Sequence, residues 1–85
     1  MNAYIESAAT EESAWETVAR EKLVRVLGPS QGVKVFQEVL LETGLPQLGS
    51  ADDLRRFADH LEHRGGFVRA LGVVLRTHAL LRGAR

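Results

Sequence analysis

Glycine, proline and serine interrupt this sequence at three places, and each segment between them has the periodicity of a helix. The interruptions lie at Gly28-Pro29, at residues 44–50 and at Gly65-Gly66. Glycine tolerates the left-handed backbone conformation in which many helices end, and proline disfavours helical geometry in the residue before it. Between the interruptions, apolar residues recur every three or four positions rather than every second one. The sequence therefore predicts an all-α fold, a small antiparallel bundle of four main helices.

Serine and acidic residues indicate where the helices begin. The first helix is predicted to start near Thr10 or Ser13, and Ser13 stands three residues before Glu16, which is the spacing of a capping box. Ser30 is the predicted N-cap of the second helix. Ser50 is the predicted N-cap of the third helix, whose acidic first turn complements the helix dipole.

One helical domain is predicted over residues 11–85, because a chain of 85 residues has no room for a second core. Residues 1–10 are interpreted as a flexible or partly helical N-terminal tail. Short extra helical turns fit in that tail and in the 45–50 connection, where Leu45 and Leu48 are expected to close one end of the core. A chain this small buries only about 60 to 65% of its unfolded surface, and it therefore gains stability from a partner.

The predicted core combines the apolar stripes of the four helices. The stripe of the third helix is narrow, and this helix is therefore expected at the outside of the bundle with a solvated back. The predicted core residues are Trp15, Leu23, Val26, Phe36, Val39, Leu40, Leu54, Phe57, Leu61, Val68, Leu71 and Leu75.

The last helix, roughly residues 67–82, is apolar on two faces. Val73 and Leu80 fall on the side opposite its main stripe, beside Arg69 and Arg76. Two interpretations remain open at this point. Either another molecule covers the second face, or the last helix is the central one and the other three helices cover it.

A glycine stands inside the last helix at position 72. Glycine in a helix interior costs roughly 0.5 to 1 kcal/mol relative to alanine. Gly72 therefore indicates that another backbone crosses the helix closely at this point.

The charges are segregated along the chain although their sum is zero. Residues 1–19 contain four glutamates and no basic residue, whereas residues 64–85 contain five arginines and no acidic residue. The two patches either pair within one molecule or orient the docking of one molecule on another. The second interpretation gives the predicted partner-binding residues, which are Arg69, Val73, Arg76, Leu80, Glu11, Glu12 and Glu16.

The sequence gives little support for catalysis or metal binding. Cysteine is absent, which excludes thiolate zinc sites and cysteine nucleophiles. His60 and His63 are close enough in sequence to share a helix surface, but zinc normally takes three or four protein ligands. Asp59 and His63 are interpreted as a local ion pair, and His78 as a packed structural residue. We therefore predict no enzymatic activity, no metal and no cofactor.

A small helical DNA-binding regulator is the alternative interpretation. The third helix would then be the recognition helix of a helix-turn-helix, but its first turn carries Asp52 and Asp53, which phosphates repel. Nucleic acid is therefore not the expected partner. No apolar run reaches the ~18 residues that a membrane span requires, and we expect a cytoplasmic protein that does not bind membranes.

The segment from Leu23 to Val33, which contains Leu27-Gly28-Pro29, resembles the helix, Leu-Gly-Pro turn, helix unit of small helical modules appended to bacterial signalling proteins. This resemblance implies a bacterial-type assembly or signalling system. Taken with the two-faced last helix, it leads to the hypothesis of a non-catalytic protein-protein interaction or oligomerisation module, an adaptor or regulatory component. Its partner would be another protein, a second copy of the chain, or both, and we expect a homo-oligomer.

Overall fold

A computed structural model describes residues 13–84, apart from the side chain of Phe67. The described part is all α-helical apart from its connections, and it forms a small bundle, as the sequence predicts. The predicted tail, residues 1–10, lies outside the described residues. The helices are α1 (Ala14–Leu27), α2 (Pro29–Thr43), α3 (Ala51–Arg64) and α4 (Gly66–Leu81).

Serine caps begin two of the helices, as predicted. The Ser13 hydroxyl accepts a hydrogen bond from the Glu16 amide, and the Ser50 hydroxyl accepts one from the Asp53 amide. The prediction that Ser30 caps the second helix is wrong, because α2 already begins at Pro29. Proline is well suited to a first helical position, since its missing N–H would have no helical partner there.

The connection between α2 and α3 contains no helix, so the extra turn considered for residues 45–50 does not form. Leu48 within it is fully buried, and Leu45 packs against the core, which confirms their predicted role. Both backbone polar groups of Leu48 are bound by α1 and its cap. Its amide donates to the Glu16 carboxylate at 2.8 Å, and its carbonyl accepts from the Ser13 hydroxyl.

Replacing Glu16 with alanine is expected to reduce the free energy of unfolding by about 1 to 3 kcal/mol, because the buried Leu48 amide would lose its acceptor. Urea denaturation measures this change. Glu21 on the same helix is exposed, and Glu21→Ala is therefore the matched control with a change under about 0.5 kcal/mol. Equal losses in the two variants would contradict a structural role for the Glu16 carboxylate.

The bundle consists of two tightly packed helix pairs, α1 with α2 and α3 with α4. In each pair a single non-helical residue joins the helices: Gly28 with a φ of 91° and Gly65 with a φ of 76°. These values lie in the left-handed region, which glycine adopts without the steric penalty of a β-carbon. The helices can therefore reverse direction over one residue.

A second glycine in each pair lets the helix backbones approach. A β-carbon on Gly32 would lie 2.6 Å from the Val24 Cα, and a β-carbon on Gly72 would lie 2.7 Å from the Ala58 carbonyl oxygen. The close backbone crossing predicted at Gly72 is thus confirmed. The equivalent crossing at Gly32 was not predicted.

Most of the predicted core is buried. Trp15, Leu40 and Val68 are only partly buried and pack against its edge. Val26 is a wrong prediction, because its side chain is 51% exposed. The predicted residues that are buried are Leu23, Phe36, Val39, Leu54, Phe57, Leu61, Leu71 and Leu75.

The relative positions of α3 and α4 differ from the prediction. We expected α3 at the outside of the bundle with a solvated back. Its back is exposed at Asp52, Arg56 and His63, but its apolar side chains are buried and it contacts all three other helices. Helix α4 packs mainly on α3, and the backbones of α4 and α2 do not approach one another. The interpretation that α4 is the central helix, with both its faces covered by the bundle, is therefore wrong.

Candidate protein interface on the last helix

Helix α4 presents large apolar side chains to solvent. Val73 is 40% exposed, Val74 47%, Leu80 48% and Leu81 79%. The predicted second apolar face therefore exists, and residues 13–84 leave it uncovered. Although α4 is apolar, neither it nor any other helix in residues 13–84 is long and apolar enough to cross a bilayer.

These side chains lie on one continuous surface, which we call the α4 stripe. At about 100° per residue, its members fall within an arc of about 120° and extend about 16 Å along the helix. The arc contains no charged residue. The α4 stripe consists of Ala70, Val73, Val74, Thr77, Leu80 and Leu81, all of them exposed.

The single polar member of the α4 stripe is satisfied within the helix. The Thr77 hydroxyl donates to the Val73 carbonyl at 2.9 Å. The stripe therefore offers little hydrogen bonding of its own, and a partner would contact it mainly through apolar packing.

The opposite side of α4 explains why the stripe stays exposed. Leu71, Leu75 and Ala79 are buried, and Gly72 lies against the α3 backbone. These residues fix the rotation of α4 about its axis. With that rotation fixed, the α4 stripe faces away from the core.

Arginines lie along one margin of the α4 stripe. Arg76 forms an ion pair with Glu62 of α3, with 2.8 Å between its Nε and the Glu62 Oε2. Arg69 is exposed, and within residues 13–84 it has no ion-pair partner. Helical geometry places both arginines beside the stripe, but Arg76 is already engaged within the chain, and the role of either arginine in partner binding stays a prediction.

One residue of the predicted acidic patch is not accessible to a partner. Glu16 is buried and holds the Leu48 amide, so it does not form part of an accessible acidic patch. Glu11 and Glu12 lie outside the described residues. The predicted docking of this glutamate cluster on the arginines of another copy therefore loses Glu16.

Val74 and Leu81 are the residues that the sequence interpretation missed. Positions 73, 74, 77, 80 and 81 have the spacing i, i+1, i+4, i+7 and i+8, which is an apolar stripe on a helix. Applying this spacing to the pair of Val73 and Leu80 would have predicted Val74 and Leu81 as further members of the stripe.

The histidines of α3 face different partners. The His60 Nδ1 is 3.7 Å from a Glu42 carboxylate oxygen, and the His63 Nδ1 is 2.8 Å from the Asp59 carbonyl oxygen. The predicted Asp59–His63 ion pair is wrong, because the Asp59 carboxylate binds Arg55 at 2.9 Å. Within residues 13–84, no three histidine or carboxylate side chains are grouped as metal ligands would be.

A polar cluster joins α2 to α3. Arg64 lies 3.3 Å from Glu38 and 2.8 Å from Glu42, and His60 approaches the same Glu42. All four side chains are partly exposed, and exposed ion pairs contribute only about 0 to 1 kcal/mol each. We interpret this cluster as structural.

His78 packs at the junction of α4 and α1. Its ring meets the Trp15 ring edge-on, with 6.5 Å between the ring centroids. This contact agrees with the prediction that His78 is a packed residue.

Comparisons with known protein families, with curated proteins and with solved structures find no match to this chain. The α4 stripe is therefore the feature of the molecule that bears most directly on function.

Proposed function

We propose that this chain is a non-catalytic protein-interaction module that associates with its partner through the α4 stripe. In this role it would act as an adaptor or regulatory component of a larger bacterial-type assembly or signalling system. One observation carries the proposal: four large apolar side chains, 40 to 79% exposed, lie together on an uncharged arc of one helix.

Single exposed apolar residues are common on proteins, whereas a contiguous exposed apolar surface is typical of an interaction site. The arginines beside the stripe agree with this interpretation, because arginine is enriched at protein interfaces. The small size of the chain adds to it, since a small core benefits from further apolar burial.

The proposal assigns no catalytic step to the chain. Several carboxylates that the structure describes have structural partners: Asp53 accepts from the Gly49 amide, Asp59 binds Arg55 and Glu62 binds Arg76. These contacts support a structural role for the three residues. No observation favours DNA binding over protein binding.

Replacing both Val73 and Leu80 with glutamate tests the proposal. Because both side chains are substantially exposed, we expect a folded double variant with a nearly unchanged circular dichroism spectrum and melting temperature. A photoreactive residue at position 74 is expected to cross-link a discrete partner in cells. The double substitution should abolish this cross-link.

The control places the photoreactive residue at position 34, which is exposed on α2, the helix remote from α4. We expect no specific cross-link from that position. A folded double variant that keeps the cross-link at position 74 would refute the role of the α4 stripe. An unfolded double variant would assign Val73 and Leu80 to the core and refute it as well.

A further inference from the structure

Among residues 13–84, both margins of the α4 stripe carry an excess of positive charge. On one margin, Arg69 and Arg76 face one carboxylate of this described part, that of Glu62. On the other margin, a shallow depression between α4 and α1 is lined by Lys22, Arg25 and a single acidic residue, Glu21, together with Val18 and His78. An apolar stripe between two cationic margins favours a partner with the opposite charges.

The dimensions of the stripe match one face of a helix. It extends about 16 Å, which is three helical turns. An amphipathic helix presents an apolar stripe of comparable width, and helices pack by placing the side-chain ridges of one into the grooves of the other. A single helix lying along α4 would therefore cover Val73, Val74, Leu80 and Leu81 together.

From these observations, and resting on the proposed function, we infer that the α4 stripe binds an amphipathic helix of another protein whose apolar stripe is bordered by carboxylates. The carboxylates would lie opposite Arg69 on one margin and Arg25 on the other. Both arginines are exposed and have no ion-pair partner within residues 13–84. They are therefore available to a partner.

A second copy that docks through its own α4 stripe fits this surface less well. When two copies of α4 pair antiparallel about a two-fold axis, each margin of the stripe meets the same margin of the other copy. Arg69 and Arg76 would then face the same two arginines of that copy. When the two copies pair in parallel, each margin meets the opposite margin of the other copy, and these arginines would face Lys22 and Arg25. Both arrangements bring like charges together, which disfavours association.

Two synthetic peptides of about 20 residues provide the test, a length at which an isolated helix begins to be stable. They share one leucine and alanine stripe and differ only at the bordering positions, which are glutamate in one peptide and lysine in the other. Calorimetric titration of the full chain should give a Kd about tenfold lower for the glutamate peptide. This preference should shrink in 1 M salt, where charges are screened over about 3 Å.

Charge reversal in the protein extends the test. The variant with Arg25→Glu and Arg69→Glu should bind the glutamate peptide about tenfold more weakly than the original chain. The control variant, with Lys34→Glu and Arg56→Glu, has the same net charge, but its substitutions lie on α2 and on the exposed back of α3. The control variant should bind the glutamate peptide with an affinity within about twofold of that of the original chain.

The outcomes separate this inference from the proposed function. One outcome is that the lysine peptide binds as tightly as the glutamate peptide or more tightly, and that the Val73→Glu and Leu80→Glu double variant abolishes this binding. That result would overturn the inference of an acidic partner helix but would leave the proposed interface in place. If neither peptide binds, and the chain sediments as a dimer that the same double variant dissociates, a second copy is the occupant and the inference is wrong. If neither peptide binds a monomeric chain, the inference is refuted, and the cross-link from position 74 decides separately whether the proposed interface stands.

Discussion

A Gly72→Leu variant is expected to lose the cooperative thermal transition of the original chain. A β-carbon at this position would lie 2.7 Å from the Ala58 carbonyl oxygen and 2.8 Å from the Glu62 amide nitrogen. Both are backbone atoms of α3, so relief of the clash requires the two most closely packed helices to separate. Overpacking by small groups already costs about 1 to 3 kcal/mol, and leucine adds four carbons.

The smaller change Gly72→Ala is expected to lower the free energy of unfolding by about 1 to 3 kcal/mol, measured by urea denaturation. This is the net loss that remains after the roughly 0.5 to 1 kcal/mol that alanine adds through its helix propensity has offset part of the cost of the clash. Ala70→Leu, an exposed position on the same helix, is the control and should change stability by less than about 0.5 kcal/mol. A stabilised Gly72→Ala variant would contradict the close crossing of α3 and α4.

The second large effect is expected at Phe57. This side chain is fully buried and its ring packs at a tilt against that of Phe36, with 5.3 Å between the ring centroids and 40° between the ring planes. Phe57→Ala should lower the free energy of unfolding by about 3 to 5 kcal/mol, because it removes the buried ring and leaves a cavity. Small domains are stabilised by only about 5 to 15 kcal/mol in total, and the variant should therefore unfold at a markedly lower temperature.

Val26→Ala is the informative control for Phe57→Ala. The sequence pattern assigns both positions to the core, but Val26 is 51% exposed and its truncation should cost less than about 0.5 kcal/mol. Similar losses in the two variants would show that the pattern, rather than the structure, describes the core correctly.

Local features of the sequence were sufficient to predict the helices. Ser13 and Ser50 cap α1 and α3 through hydrogen bonds to amides three residues later, an interaction within one turn. The prediction at Gly72 succeeded for a related reason, since a glycine inside a helix is costly unless a close contact requires it.

Contacts between distant residues were not predictable in the same way. Glu16 has the spacing of a capping box, but its carboxylate binds an amide 32 positions away. Val26 continues the stripe of Leu23 on α1, but α2 crosses α1 at Val24 through Gly32 and leaves Val26 uncovered. In both cases the outcome depends on how the helices are arranged, which the periodicity of one helix does not determine.

The exposed apolar face of α4 was predicted in part. Val73 and Leu80 were assigned to a second apolar face from their spacing, and both are exposed. Whether that face was internal depended on the position of α4 in the bundle. The narrow apolar stripe of α3 correctly indicated a solvated back, but it did not indicate that α3 contacts all three other helices or that Gly72 allows α4 to approach it closely.

The one-residue links at Gly28 and Gly65 have a consequence for the rate of folding. Closing a short link has a small entropy cost, and chains rich in contacts between sequence neighbours fold in microseconds to milliseconds. Here the two closest helix pairs are both consecutive in the chain, so each pair can form independently. We therefore expect the rate to be set by the meeting of the two pairs, when the Leu48 amide reaches the Glu16 carboxylate.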